Sequence, residues 1–436
     1  MDMPDEGSRR IRRRPGWRIA LAVLSALALV AAACGGDDDG GESGSASEPA
    51  EETSGGSDLL GPEDPAEGEP IKLGMVSDGA TQAFDNTDEL RAAEAAAEFW
   101  NTHRAGIAGQ PVEVVTCETG GDPAGATDCA NQMVEAGVTA VTLSQSAVAE
   151  SVWEPLHAAG IATLWFQTST EAMLTDTESS FVMVNPLATL YGTTLAAAES
   201  EGADKIAFVL IDVPQALGSF ESGAADAILE NADLTYELIR IPVGTADMTS
   251  QMQDVVESEA GVVQIVGNDA FCIAAIQGLN AVGYEGAITS IAQCITDATR
   301  QALPGQLEGI DITSTMALGD TSDPAYQLYE EVIATFGEDV EDVENATAMG
   351  GYTAMSSLIS ALQGISGEVN PQSAAAAIKS MDEADYPGAD GLTFQCGGTA
   401  YEPQPAVCSN GSLRATLDAD GNPASYEAVD STDILP

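Results

Sequence analysis

Small hydroxyl, amide and carboxylate side chains recur at the ends of six apolar runs: Ser77-Asp78-Gly79-Ala80-Thr81 with Phe84, Ser144-Gln145-Ser146, Gln167-Thr168-Ser169-Thr170, Asp212, Asn268-Asp269 and Gln293. Such groups, with exposed backbone N–H groups at helix starts, suit the polar head of a small ligand: they supply donors and partial positive charge without a counter-ion. Any single Ser, Thr, Asp or Asn there also serves as an ordinary N-cap. Recurrence after six separate runs is what favours a binding rim. Chemistry beyond binding has little support. The motifs G-x-S-x-G, H-E-x-x-H, G-x-x-x-x-G-K and G-x-G-x-x-G do not occur, and the two histidines, His103 and His157, read as structural. A carboxylate pair of glycosidase type stays open only because acids are so numerous that any pairing could be drawn. No enzyme activity, cofactor or metal is expected.

Cysteine use points to an oxidising exterior. With Cys34 set aside, six cysteines remain in three close pairs: Cys117 with Cys129, Cys272 with Cys294, and Cys396 with Cys408. Sequence leaves the connectivity open, and nearest-neighbour disulfides are the expectation. A zinc site would need a C-x-x-C or clustered histidines, which are missing.

The elements that position the polar groups are short β-rich runs alternating with Ala-rich segments of helical period, the pattern of parallel βα units. Strands are expected at 71–76, 112–116, 138–143, 161–166, 205–211, 234–241, 261–266, 287–292 and 309–314, with a strand-like stretch at 181–184. Asp122-Pro123 supplies an N-cap and a first-turn proline to a helix that closes at Gly137. About nine strands are many for one doubly wound sheet, and Asn185-Pro186 interrupts the series, so two α/β lobes are expected.

The 436 residues carry 69 Asp+Glu against 14 Lys+Arg, a formal net charge of -55. Such a surface repels nucleic acid. Arg9, Arg10, Arg12, Arg13, Arg14 and Arg18 precede an apolar run from Ile19 to Ala33, and Ala31-Ala32-Ala33-Cys34 follows. This reads as a secretory signal, too short to span a membrane. The small residues before Cys34 resemble the bacterial lipobox, which implies lipid attachment there. Residues 35–70, rich in Gly, Ser, Glu, Asp and Pro, read as an acidic tether.

From Ile71 to Glu427 the ordered landmarks resemble the type I periplasmic-binding-protein family, in its branched-chain-amino-acid (leucine) binding branch. They are Ile71-Lys72-Leu73-Gly74, Gly121-Asp122-Pro123, Val134 to Ser146, Gly160-Ile161 and Gly391-Leu392-Thr393-Phe394. The resemblance implies an α/β fold of two Rossmann-like lobes, parallel sheets flanked by helices, joined by three crossovers and closing on a ligand. The implied layout is a signal peptide at 1–33, lipidated Cys34 and tether at 34–70, lobe 1 at 71–185 plus 317–394, and lobe 2 at 186–316 plus 395–432. By position, Phe84 matches an aromatic at the cleft mouth, Ser146 a hydroxyl that grips the ligand carboxylate, and Gln167 and Ser169 the pair supplying further donors; Thr168 between them is a further candidate. In the second lobe Leu217 stands where the family has an aromatic, and Asn268 or Asp269 where it has another. Gln293 replaces the acid that takes the ligand ammonium, so unless Asp212 or Asp269 substitutes, a ligand without an ammonium is expected. The implied function is an extracytoplasmic lipoprotein, monomeric and anchored to the outer face of the cell membrane, that hands a small amino-acid-like, amide or carboxylate ligand to an ABC permease. The alternatives are a receptor for a signalling partner and a secreted carboxylate-dependent hydrolase.

Overall fold

The computed structural model describes residues 59–81, 85–433 and 435, without the side chains of Pro214 and Gln215. The signal, Cys34 and Phe84 lie outside the described residues.

The first sheet is built from β1 (Ile71–Ser77), β2 (Val112–Glu118), β3 (Ala140–Leu143), β4 (Ala162–Trp165) and β5 (Ser180–Val182). Between them run α1 (Thr87–His103), α2 (Pro123–Ala136), α3 (Ala149–Ala158) and the short α4 (Glu171–Leu174). All pairings are parallel, in the order β2-β1-β3-β4-β5. The runs Leu73 to Val76 and Ala140 to Leu143 are buried throughout, as strands covered on both faces must be.

The second sheet takes in β6 (Lys205–Ile211), β7 (Thr235–Ile241), β8 (Val262–Val266), β9 (Ala287–Ile291) and β10 (Asp311–Ser314). Its helices are α5 (Pro186–Glu201), α6 (Pro214–Glu221), α7 (Ala224–Asn231), α8 (Thr249–Glu257), α9 (Asp269–Val282) and α10 (Asp297–Ala302). The parallel part repeats the first sheet's order, β7-β6-β8-β9-β10. The chain then runs through α11 (Pro324–Phe336), α12 (Ala346–Ala361), α13 (Pro371–Lys379) and a two-stranded ribbon of β11 (Ala384–Asp385) and β12 (Thr393–Phe394). It ends in β13 (Gly411–Thr416), antiparallel to β10, and β14 (Glu427–Asp430), antiparallel to β13 at the sheet edge.

The parallel strands fall where the alternation puts them, with ends shifted by a residue or two: β3 starts at Ala140 rather than Val138, and β5 ends at Val182 rather than Val184. The sequence pattern did not indicate β11 to β14. These are two to six residues long, and β14 is a largely exposed edge, so none presents a sustained apolar run.

Four helices begin with an Asx-Pro pair: Asp122-Pro123, Asn185-Pro186, Asp323-Pro324 and Asn370-Pro371. In each the Asx side chain accepts a backbone N–H of the first turn, while proline gives up a donor that would have no partner there. α2 closes at Gly137, whose φ of 71 is the left-handed conformation of a glycine cap.

The chain passes between the sheets three times. After β5, α5 packs on β8, β9, β10, β13 and β14; after β10, α11 and α12 return to α1; after β12, β13 joins the second sheet. α12 approaches α1 closely because Gly351 has no side chain: a Cβ there would sit 2.0 Å from the Glu89 carbonyl oxygen. Leu73, Met75, Ala96, Phe99, Met355 and Leu358 fill one buried cluster under these helices.

The three disulfides join the nearest-neighbour pairs: Cys117–Cys129 ties β2 to α2, Cys272–Cys294 ties α9 to the turn after β9, and Cys396–Cys408 closes part of the third crossover.

Candidate ligand cleft

Open parallel sheets bind ligands beyond the carboxyl ends of their strands, where the strand order reverses. In the first sheet that point lies between β1 and β3, followed by Ser77-Asp78 and Ser144 to Ser146; in the second it lies between β6 and β8, followed by Asp212 and Asn268-Asp269.

At the first reversal point two carboxylates are buried. Asp78 is 2% exposed; its Oδ1 accepts the hydroxyls of Ser146 and Thr119, each at 2.7 Å, and its Oδ2 accepts the Ala147 N–H at 2.9 Å. Glu89, on the first turn of α1, accepts from the Ser77 hydroxyl at 2.5 Å, from the Ser144 N–H at 3.0 Å and from the Ser144 hydroxyl. Burial pushes the Glu89 carboxyl up to about 7, against the pull of the Ser144 and Ser77 bonds and with some help from the Asp78 charge. A third acid, Asp88, accepts from Arg91 at 2.8 Å and from the N–H groups of Glu341 and Asp342, fastening the segment before α12 to α1.

Gln167, Thr168 and Ser169 follow β4 and share a cavity of about 460 Å³ with Gln145, Ser146 and the start of α3. The Gln167 N–H donates to the Ser144 carbonyl at 2.9 Å, holding this loop beside the β3 end. Thr168 is buried, its hydroxyl accepting the Thr170 N–H at 3.2 Å.

A second cavity, of about 540 Å³, lies between the sheets and brings Gln167 together with Gln293. Its wall includes Arg300, Tyr426, the end of β10 and start of the second crossover from Thr313 to Met316, and Asp342, Glu344, Asn345 and Ala346 at the head of α12. The Thr313 hydroxyl behind this wall is buried and has no hydrogen-bond partner.

Among the described residues, the other expected ones line neither cavity. Asp212 accepts from Arg240 at 2.8 Å on a half-open surface. Leu217 is 2% exposed in the core of the second lobe. Asn268 caps α9 through the Phe271 N–H at 3.0 Å, and Asp269 accepts the N–H of Ala270. Sequence reasoning overlooked Arg300, Thr313, Tyr426 and the Asp342 to Asn345 segment; the one available signal was Arg300, a cation in a chain with so few. Among the described residues no group of histidine, cysteine or carboxylate side chains is arranged to hold a metal ion.

A sequence model described as Periplasmic binding protein matches residues 70–407. The chain belongs to the periplasmic binding protein family. Solved structures agree on the fold of this binding protein. An ABC transporter substrate-binding protein from Sphaerobacter thermophilus superposes with a TM-score of 0.65 at 18% identity, covering 84% of this chain and 100% of its own. The branched-chain amino acid transporter substrate-binding protein of Streptococcus pneumoniae, in complex with isoleucine, gives 0.61 at 14% identity over 83% and 99%. A solute-binding protein of an ABC transporter from Rhodopseudomonas palustris, in complex with p-hydroxybenzoic acid, gives 0.61 at 18% identity over 84% and 98%. At these identities the likeness is one of fold. Among curated proteins no sequence matches the chain.

Proposed function

We propose that this periplasmic binding protein is a non-catalytic, extracytoplasmic lipoprotein that closes its lobes, 71–185 plus 317–394 and 186–316 plus 395–432, on a small polar ligand and delivers it to an ABC permease. The observation that carries the reading is the cavity shared by Gln167 of the first lobe and Gln293 of the second, with a crossover in its wall. A ligand touching both amides and the crossover gains contacts on closure, so its differential affinity favours the closed state. Ser146, Thr168 and Ser169 extend the first-lobe face. The relatives bound to isoleucine and p-hydroxybenzoic acid support an occupant of that size. Cys34 carries the lipid that holds the monomer on the outer face of the membrane.

A metabolite panel read by thermal shift tests the reading, because a ligand bound only by the folded protein stabilises it by mass action. The ligand should be recovered unchanged, and turnover would establish a hydrolase instead. Intact mass of membrane-extracted protein should show acylated Cys34 as the first residue, and Cys34→Ser should release the protein from membranes.

A further inference from the structure

We propose that Asp78 is a built-in anion that fills the anion seat of the first lobe, so that the group docking at Ser146 is an N–H donor, amide or cationic, and not a carboxylate. This rests on the solute-receptor reading and narrows its ligand class.

The argument begins with hydrogen-bond capacity. A serine hydroxyl has one proton and two lone pairs. The Ser146 proton goes to Asp78 Oδ1, since an ionised carboxylate only accepts, and one lone pair takes the Val148 N–H at 3.1 Å. What remains toward a ligand is a lone pair, which accepts. The Ala147 N–H, the other donor at this turn, is given to Asp78 Oδ2. An arriving carboxylate would therefore meet a buried charge of its own sign one side chain away, with these two donors already used.

The surroundings add to the effect. Glu89 and Asp88 are buried at the same end of the first sheet, and only Asp88 has a cation, Arg91, bonded to it. Among the described residues lining the first-lobe cavity there is one acid, Glu150, and no base. The cation at the interlobe cavity, Arg300, belongs to the second lobe and is bonded to Asp297 and the Gly421 carbonyl. Amide and hydroxyl groups of Gln145, Ser151, Gln167 and Ser169 also line this face and can donate or accept, but at Ser146 what faces a ligand is a lone pair next to the Asp78 carboxylate, the complement of an N–H group.

The test has two independent arms. In the first, Asp78→Ala removes the anion and leaves three donors that a small carboxylate can satisfy. Sodium formate should then raise the melting temperature of the variant by several degrees more than sodium chloride at equal ionic strength, with no such difference in the wild type. Equal effects of the two salts on the variant would overturn the occupied seat. In the second, calorimetry compares isoleucine with isoleucinamide, and 4-hydroxybenzoate with 4-hydroxybenzamide, on the wild type and on Asp78→Asn, which keeps the shape should the alanine variant not fold. The wild type should prefer the amide of a pair by about tenfold or more, and Asp78→Asn should erase or reverse the preference. Tighter binding of either acid by the wild type, or an unchanged ratio in Asp78→Asn, defeats the proposal. Formate rescue in a protein that binds none of the four, nor any of a wider metabolite panel, would uphold the seat and remove the receptor reading.

Discussion

The side-chain amide of Asn185 donates to Oδ1 of Asn410 at 2.9 Å, with both residues buried, and so joins the first crossover to the third. The same Asn185 caps α5 through the Leu187 N–H, its own N–H donates to the Ser409 carbonyl, and Asn410 Nδ2 reaches the Ala400 carbonyl at 2.5 Å. Asn185→Ala removes the cap and leaves a buried acceptor unpaired. It should lower stability by about 2 to 4 kcal/mol. Urea unfolding measures this, and a double-mutant cycle with Asn410→Ala should show coupling between the two.

Glu89 sets a pH dependence. Its folded-state carboxyl titrates near 7, above the ordinary value of 4.5 that it recovers on unfolding. Between these values the native state holds the proton more tightly, so stability falls as pH rises from about 5 to 7 and levels off above. The full contribution is about 3 kcal/mol. Glu89→Gln should flatten this limb of the stability profile, and an unchanged slope in chemical denaturation across that range would contradict the assignment.

Gln293 presents an uncharged amide to the interlobe cavity. Gln293→Glu should strengthen binding of ammonium-bearing probes such as isoleucinamide by about tenfold, worth about 1.4 kcal/mol. Gln167→Ala, on the opposite wall, should weaken any ligand that bridges the lobes. Calorimetric titration of both variants reads the two effects.

Cys272 and Cys294 are 22 residues apart, and their bond holds the start of α9 to the turn that presents Gln293. Replacing both by serine should cost about 3 kcal/mol through the freed chain entropy of the unfolded state. It should also weaken ligand binding more than the Cys117 and Cys129 double replacement does, because only the former pair adjoins an interlobe residue. Paired melting and titration experiments on the two double variants distinguish these outcomes.

Much of the fold was legible because local signals agree with it. The Asx-Pro start at Asp122 and the break at Asn185-Pro186 need no tertiary information, and buried strands such as Ile206 to Ile211 declare themselves by unbroken apolarity. The terminal β13 gave little signal because its pairing is decided by the distant β10, and β14 because its only partner is β13; Arg414 donates across the first of these boundaries to Asp311 at 2.5 Å. The site was legible by residue type and position after strands, which drew attention to Ser146, Gln167 and Gln293. Occupancy of the donors was not legible. That Asp78 uses the Ser146 proton is a fact of three-dimensional geometry, as is the meeting of Arg300 with Asp342 and Glu344 in one wall.

The close approach of α12 to α1 also bears on the order in which the protein can fold. All five strands of the first sheet are complete at Val182, but α11 and α12, which cover one of its faces through α1, begin only at Pro324 and Ala346. A chain emerging from its N-terminus therefore holds Leu73, Met75 and Phe99 without their later partners while the whole parallel part of the second sheet is made. The second sheet, whose parallel strands and α5 to α10 are contiguous, has no such wait before β10. The first lobe is therefore completed only when α12 arrives, so fragments ending before Ala346 should expose this apolar surface and aggregate, whereas the full chain should not.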